Sequence, residues 1–397
     1  MPTNTIAYSL LLPELELKSF IRTGRTSTTY KVTKYSEMEV CPKCATPSRS
    51  VYDHRSVKAK DAPVRDKVVY LVISKRRFWC TPCRKPFTEP VPGITKGQRT
   101  TQRFKKAVLW GCENFVDLKR VQSTFHVSAG YVFKTLYEQL ELKRRMHNQY
   151  PWPKTIGIDE HSWKRNKVRG YTEFASIIVD YPNKRAFELV EGKTSAVLTE
   201  SLQNIPGREN VQHVILDMCD SFKSFAKGFF PNANLVADKF HVLRLITPHI
   251  NKKRRELAGD RRKNPIGRLL LKNGYQLDYW KKQIVHQWLD QPGYEEIKEL
   301  YTYKEALHKF YRTKGFDKAS RAFTRLTDAM ALSTIKAIKT LRSTLLKWRK
   351  EILAYFETGL TNGRTEGFNN LAKLVQRRAF GYRNFNNYRL RLLNACC

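Results

Sequence analysis

The sequence has 397 residues, of which 73 are Lys or Arg and 36 are Asp or Glu, leaving a formal net charge of +37. Such an excess repels itself unless a polyanion is the partner, and phosphate neutralisation makes nucleic acid the expected one. Apolar residues make up 41% of the chain, enough for ordinary cores, yet no apolar run approaches the roughly 20 residues of a spanning helix, which argues against a membrane role.

Residues 1–35 read as a short lead-in with one apolar patch, Leu10 to Leu17, and without the basic and long apolar regions of a signal peptide. Residues 36–95 carry two tight cysteine pairs, Cys41-Pro-Lys-Cys44 and Cys80-Thr-Pro-Cys83, among alternating runs such as VVYLVIS (68–74) that read as strands. Each pair can grip one side of a tetrahedral zinc from a single turn, and an intervening β-hairpin can absorb the long gap between them. The alternatives are a redox CxxC, which would not need two copies, or four reduced core cysteines. Paired cysteines of this kind fit a reducing cytoplasm better than a disulfide framework. Cys112 and Cys219 read as apolar core residues, while the terminal pair Cys396-Cys397 has no reading. VPGITKGQRT (91–100) reads as a linker.

Residues 101–145 read as helical. QRFKKAVLWGCENF and DLKRVQSTF are followed by Ser128, a plausible N-cap for AGYVFKTLYEQLELKRR. This is a helix-turn-helix pattern, with Tyr131, Lys134 and Thr135 placed early on the recognition helix where base edges would be reached. The alternative is a small three-helix bundle that touches no DNA.

Beyond Tyr150-Pro-Trp-Pro153, strand-like runs alternate with helices. The strands are TIGIDEHSW (155–163), YTEFASIIVD (171–180), KRAFELVEG (184–192), VQHVILDMCD (211–220) and NLVADKF (234–240), which predicts an α/β sheet flanked by helices. From about 243 to 356 only helical patterns remain, with basic faces such as NKKRRELAGDRRKN and tryptophans 280, 288 and 348, suited to holding phosphates. TNGRTEGFNN (361–370) then opens a helix that runs to about Arg378.

Asp159 follows TIGI and Asp217 follows VIL, so both are expected at or near strand ends, where carboxylates from neighbouring strands converge. Burying such acids is costly unless a divalent cation offsets their charge, and hard oxygen ligands select Mg²⁺ or Mn²⁺. Glu366 would be the third acid, on a helix that Asn362 could cap. The alternative is three unrelated acids among the 36.

GIDE (157–160), VILDM (214–218), ADKFHV (237–242) and TNGRTEGFNN, with GYRNFNNYRLR (381–391) behind, resemble the DDE transposases of bacterial insertion sequences, specifically the ISL family, third group. The resemblance covers nearly the whole chain beyond about residue 36. It implies an α/β ribonuclease H-like catalytic domain with a large all-helical insertion, preceded by a small zinc-binding β module and a helix-turn-helix. The implied parts are a zinc domain (36–95), a helix-turn-helix segment (96–150), a first catalytic part (151–248), the insertion (249–356) and a second catalytic part (357–397). Asp159, Asp217 and Glu366 match the catalytic, metal-binding triad. Asp238 and His241 match a supporting DxxH pair, and Glu160 and Asp220 are expected to point elsewhere. The implied function is binding of transposon ends, two-metal hydrolysis to free 3′-OH ends and joining to target DNA, with structural zinc at Cys41, Cys44, Cys80 and Cys83. The enzyme would be a homodimer or higher multimer on DNA in the bacterial cytoplasm, associated with the nucleoid. A DNA-binding regulator, or a structure-specific metal-dependent nuclease without strand transfer, is the rival reading.

Overall fold

The computed structural model describes residues 12, 14–22, 24–147, 150–165, 170–259 and 265–396; Cys397, most of the Leu10 to Leu17 patch's first half and residues 260–264 of the basic run lie outside them. The chain forms two compact units, Met1–Glu141 and Leu142–Cys397.

The first unit is built on a long hairpin, β5 (Val51–Val64) and β6 (Lys67–Cys80), turned by Arg65 and Asp66 with φ of 50° and 62°. Two successive positive φ values give a turn whose twist matches that of the strands it joins. Along β6 every second residue, Val69, Leu71 and Ile73, is buried, the alternation of a half-buried strand. The predicted lead-in is not a free arm. It supplies β1 (Leu15–Arg22) and β2 (Ser27–Lys34), and the sheet order is β1-β2-β6-β5, with β2 parallel to β6. Two short strands, β3 (Glu39–Val40) and β4 (Pro47–Ser48), frame the first cysteine pair, and β7 (Lys85–Thr88) pairs with the end of β6 beside the second.

The stretch 91–100 is not a linker either, because Val91 and Ile94 are buried in the core of this sheet. It leads into α1 (Gln102–Asn114), capped by Thr101, then α2 (Leu118–Phe125), capped by Asp117, and α3 (Ala129–His147). Lys60 of β5 donates to the carbonyls of Phe125 and His126, both at 2.7 Å, and Arg103 of α1 pairs with buried Asp61. Sheet and helices are thereby one compact body, not a zinc module followed by a separate helical segment. Cys112 is buried within it, as expected.

The second unit centres on a five-stranded sheet of order β10-β9-β8-β11-β12. Its strands are β8 (Thr155–Arg165), β9 (Thr172–Asp180), β10 (Arg185–Glu191), β11 (His213–Leu216) and β12 (Asn234–Ala237). The first three form an antiparallel meander, and β11 runs parallel to both β8 and β12. The crossovers are α4 (Ser195–Leu202) and α5 (Asp220–Phe229).

After β12 come α6 (Lys239–Arg244) and the helical insertion: α7 (Thr247–Ala258), α8 (Pro265–Leu271), α9 (Tyr279–Leu289), α10 (Glu295–Phe310), α11 (Phe316–Ala331) and α12 (Lys336–Lys347). Trp152, Ile158 and Phe222 on one side of the sheet share a core with Ile297, Phe323 and Trp348 of the helices. Of the three tryptophans noted there, Trp348 is core and Trp288 packs partly against it, whereas Trp280 is 76% exposed. Opposite, Ile177, Val179, Ile215 and Val236 pack on α13 (Arg349–Thr358), α14 (Gly363–Arg378) and α15 (Phe385–Ala395), with Tyr388 fully buried. Cys396 is also buried there, and Cys219 is half-buried.

Gly157 in β8 lets α14 approach the sheet. A Cβ at this position would lie 2.5 Å from Thr365 Oγ1, 2.9 Å from Asn362 Oδ1 and 2.9 Å from the Tyr181 ring. Gly157→Ala is therefore expected to lower stability by about 1–3 kcal/mol through overpacking. The check is the urea midpoint; an unchanged midpoint would mean that α14 yields without cost.

Candidate active site

The register of the parallel strands places the acids. Leu216 pairs with Ile158 and with Ala237, so the next residue on each strand, Asp159, Asp217 and Asp238, stands level across β8, β11 and β12. Asp217 and Asp238 follow the last residues of their strands, as a strand-end acid should. Asp159 lies instead in the middle of β8, which continues to Arg165 beside β9. It is at an end only with respect to β11.

All three acids are buried, at 8%, 9% and 2% exposure. Burial, together with the charge of Asp217, pushes the Asp159 carboxyl up to about 8. His241 lies across the other two, its Nδ1 2.9 Å from Asp217 Oδ1 and 2.9 Å from Asp238 Oδ2. Burial alone would lower this imidazole, but the hydrogen bonds and charges of Asp217 and Asp238 outweigh it and raise it to about 10. Asp238 also accepts from the His241 N–H, capping α6. The DxxH pair thus touches the second acid directly.

Asn362 stands at the N-cap position of α14 but does not cap it. Its Nδ2 points into the sheet, 3.3 Å from Asp217 Oδ1 and 3.4 Å from the Ile158 carbonyl, while its backbone N–H donates to Asp238 Oδ1 at 2.9 Å. The helix is fixed onto the acids by the group expected to start it.

Glu366 lies in the first turn of α14 with its side chain 56% exposed, and its Oε1 is 3.8 Å from Arg244. It lines an open cleft of about 180 Å³ together with Asp159, Asp238 and His241. The carboxylates of Asp159, Asp217 and Glu366 do not all converge within ligand distance; among the described residues of this site, Asp217, Asp238 and His241 do. Glu160, expected to point elsewhere, also lines the cleft and pairs with Lys193 at 3.2 Å, because Glu160 follows Asp159 where β8 borders the opening. Asp220 does point away, paired with Lys347 at 2.6 Å.

Asn369 was not singled out by the sequence, yet it contacts the first acid directly. Its Nδ2 donates to Asp159 Oδ2 at 2.7 Å, and its Oδ1 is 3.0 Å from His161 Nδ1. Burial holds His161 down to about 4, which keeps the ring neutral near pH 7. With the proton on Nδ1, His161 donates to Asn369, and its Nε2 accepts from the Tyr388 hydroxyl at 2.6 Å. Gln376 Nε2 donates to that hydroxyl at 2.9 Å. The signal was present in the sequence: Asn362, Glu366, Asn369, Asn370 and Lys373 recur at helical spacing, and all five line the cleft.

The first unit holds the thiols. Cys41, Cys44, Cys80 and Cys83 bring their sulfurs within 4.8 Å of one another, a tetrahedral metal's ligand set. The Thr46 hydroxyl, 3.3 Å from the Cys44 sulfur, is the main cause that lowers this thiol to about 6, and its neighbour Cys83 is raised to about 12, first by Cys44. On α3, Lys134 is exposed, but Thr135 is buried at 4% and Tyr131 packs against Phe104. Thr135 therefore packs into the helical core, whereas Phe133, beside Lys134, is 43% exposed.

A family model described as transposase, of the DDE ISL3 group, matches residues 156–392. A second, described as the zinc-finger of transposase IS204/IS1001/IS1096/IS1165, matches residues 37–83 and includes all four clustered cysteines. The chain is 24% identical over 379 residues to the transposase for insertion sequence element IS1001 of Bordetella parapertussis, covering 91% of this chain and 89% of that protein. It is also 24% identical over 258 residues to the transposase for insertion sequence element IS1557 of Mycobacterium tuberculosis H37Rv, covering 57% and 56%.

Proposed function

Because this chain belongs to the ISL3 family of insertion-sequence transposases, we propose that it binds the ends of its own element, cleaves there to free 3′-OH ends and joins them to target DNA. The observation that carries this reading is the strand register that sets Asp159 level with Asp217, together with the cleft that Asp159 and Glu366 both line. The sheet order, a three-stranded meander continued by two parallel strands and interrupted by helices before the last acid, supports a ribonuclease H-like catalytic domain.

The donor set suits a hard divalent cation. Burial first, and the neighbouring Asp217 carboxylate second, raise Asp159, a cost that a cation would remove. Asp159 and Asp217 would hold Mg²⁺ or Mn²⁺, two ions in the full reading, with the half-exposed Glu366 side chain turning in from the cleft it shares with Asp159. When bound, such ions activate water and stabilise the leaving 3′ oxygen of a phosphodiester. The chain's own groups do the rest. Asn369 fixes the rotation of the Asp159 carboxylate, and His161, itself fixed by Tyr388, decides which way the Asn369 amide faces. His241 balances the charge of Asp217 and Asp238. Arg244 and Lys373 at the rim attract phosphate.

DNA-end recognition is assigned to α1–α3 with the zinc module, through Lys134 and Phe133 in place of Thr135. No helix among the described residues is long and apolar enough to cross a membrane, and the chain is proposed to work on DNA in the bacterial cytoplasm as a multimer.

The test is end-labelled element DNA incubated with a target plasmid and Mg²⁺. Joined donor–target products are expected; cleavage without joining would leave a nuclease, and binding without cleavage a regulator. Asn369→Ala should lower cleavage by roughly 10–100-fold, the usual cost of removing a group that orients a metal ligand, with little change in DNA affinity. Wild-type cleavage by this variant would show that Asp159 orients itself.

A further inference from the structure

Beside the acid cleft lies a second cavity of about 400 Å³, and Phe240 and Arg244 line both. The second cavity is bounded by α6, the 271–276 segment and the end of α10. Its charge is opposite to that of the first. Lys239, Arg244, Lys272, Lys304 and Arg312 line it together with His308, and no carboxylate is among its described lining residues.

The cations are held in place. Lys304, 2% exposed, donates to the Leu270 carbonyl at 2.7 Å and also to that of Lys272, tying the wall to α10. Glu305, next to Lys304 in sequence, is engaged by Lys304 at 2.7 Å and by the Gly274 N–H at 3.0 Å, and Arg244 is 3.8 Å from Glu366 of the acid cleft. Lys239 sits over the Tyr311 and Tyr355 rings, and Arg312 over Tyr275. Such ring contacts orient a cation without cancelling its charge. Burial lowers His308, and the charges of Lys304, Arg312 and Lys239 act in the same direction. Phe240, 43% exposed, stands between the two cavities.

We propose that this cavity is a strand subsite for the nucleotide next to the scissile phosphate, with Lys272, Arg312 and Lys239 on its phosphodiester and Phe240 against its base. The proposal rests on the transposase reading. A phosphodiester brought to Asp159, Asp217 and Asp238 is repelled by them, and cations one nucleotide away supply attraction without occupying the acids. The volume lies near the lower end of the roughly 300–1,000 Å³ of ligand pockets, which suits one nucleotide better than a base pair. An exposed aromatic beside cations is also the usual pairing for an unpaired base.

The test uses full-length protein and duplexes of the element end, each with one uncharged methylphosphonate linkage at a different position within three nucleotides of the cut. With wild type, one position flanking the cut should lower cleavage at least about tenfold. In Lys272→Gln/Arg312→Gln the same linkage should cost less than about twofold, because residues and phosphate form one coupled pair. Lys336→Gln/Lys339→Gln removes two charges from exposed positions of α12 and should keep the full sensitivity. Phe240→Ala should slow cleavage and Phe240→Trp restore it. Undiminished linkage sensitivity in the Lys272/Arg312 variant, with a wild-type melting temperature, overturns the subsite. If wild type does not cleave at all, the transposase reading fails instead, and the same linkages are read by DNA affinity. Equal interference at every position, or in both double variants, then overturns the subsite as well.

Discussion

Asp159→Ala and Asp217→Ala are expected to reduce cleavage of element-end DNA by at least about 10³-fold, the scale of losing a preorganised charge at the reacting phosphate. Glu366→Ala should do the same. DNA affinity should stay within a few-fold of wild type, because end binding is assigned to basic groups on other elements. Asp220→Ala, whose side chain faces Lys347, is the silent control. Glu160 is not a suitable control, since it lines the cleft. In chelator, Asp159→Ala should melt no lower than wild type. It relieves the burial that raises Asp159, which offsets the loss of the hydrogen bond from Asn369. Activity should require Mg²⁺ or Mn²⁺ and fail in Ca²⁺, whose coordination is longer and looser. Wild-type-like cleavage by Asp217→Ala would overturn the assignment of the acids.

Cys80→Ser should remove bound zinc, from one per chain to near none by elemental analysis, and unfold part of the first unit. The local core around the thiols is small: Phe78 and Phe87 with Cys41 and Cys80, and Cys83 packed beside them. A core of that size cannot hold two tight turns, so metal binding supplies their folding energy. The rest of the hairpin has its own core in Val32, Ala59, Leu71 and Ile73. Hydrogen exchange should therefore lose protection at 39–48 and 78–88 while 56–73 stays protected. Equal zinc in the variant, or loss of protection along the whole hairpin, would contradict this.

The sequence displayed the parts that depend on local pattern. VVYLVIS and VILDM read as strands because their apolar residues are contiguous or alternate, and the paired cysteines announced a metal-sized cluster. It hid what depends on pairing between distant segments. STTYKVTK (27–34) alternates weakly, and nothing in it reveals the parallel partner β6. VPGITKGQRT carries turn formers, which mask the two apolar residues that bury. Thr135 looked available because it sits early on a helix, yet its position in the helical period places it inward, next to Leu136. The acids themselves were legible as residue types after strands. Their level alignment was not, since it rests on the register of β11 between β8 and β12. Asn362 read as a cap on composition alone, and its side chain instead donates to Asp217 and to the Ile158 carbonyl.

The bond between Asn369 and Asp159 joins residues 210 positions apart. At translation rates of about 5–20 residues per second, roughly 10–40 s separate the synthesis of these two groups. Throughout that interval the nascent chain can hold zinc and complete the hairpin and α1–α3, but its acids lack the helix that orients them. A product that stops between the first unit and α14 would keep that unit and lack the complete cleft. With end recognition in the first unit, as proposed, it would occupy element ends without cutting them, so premature termination of synthesis would yield a competitor of the full-length protein, not a weaker version of it.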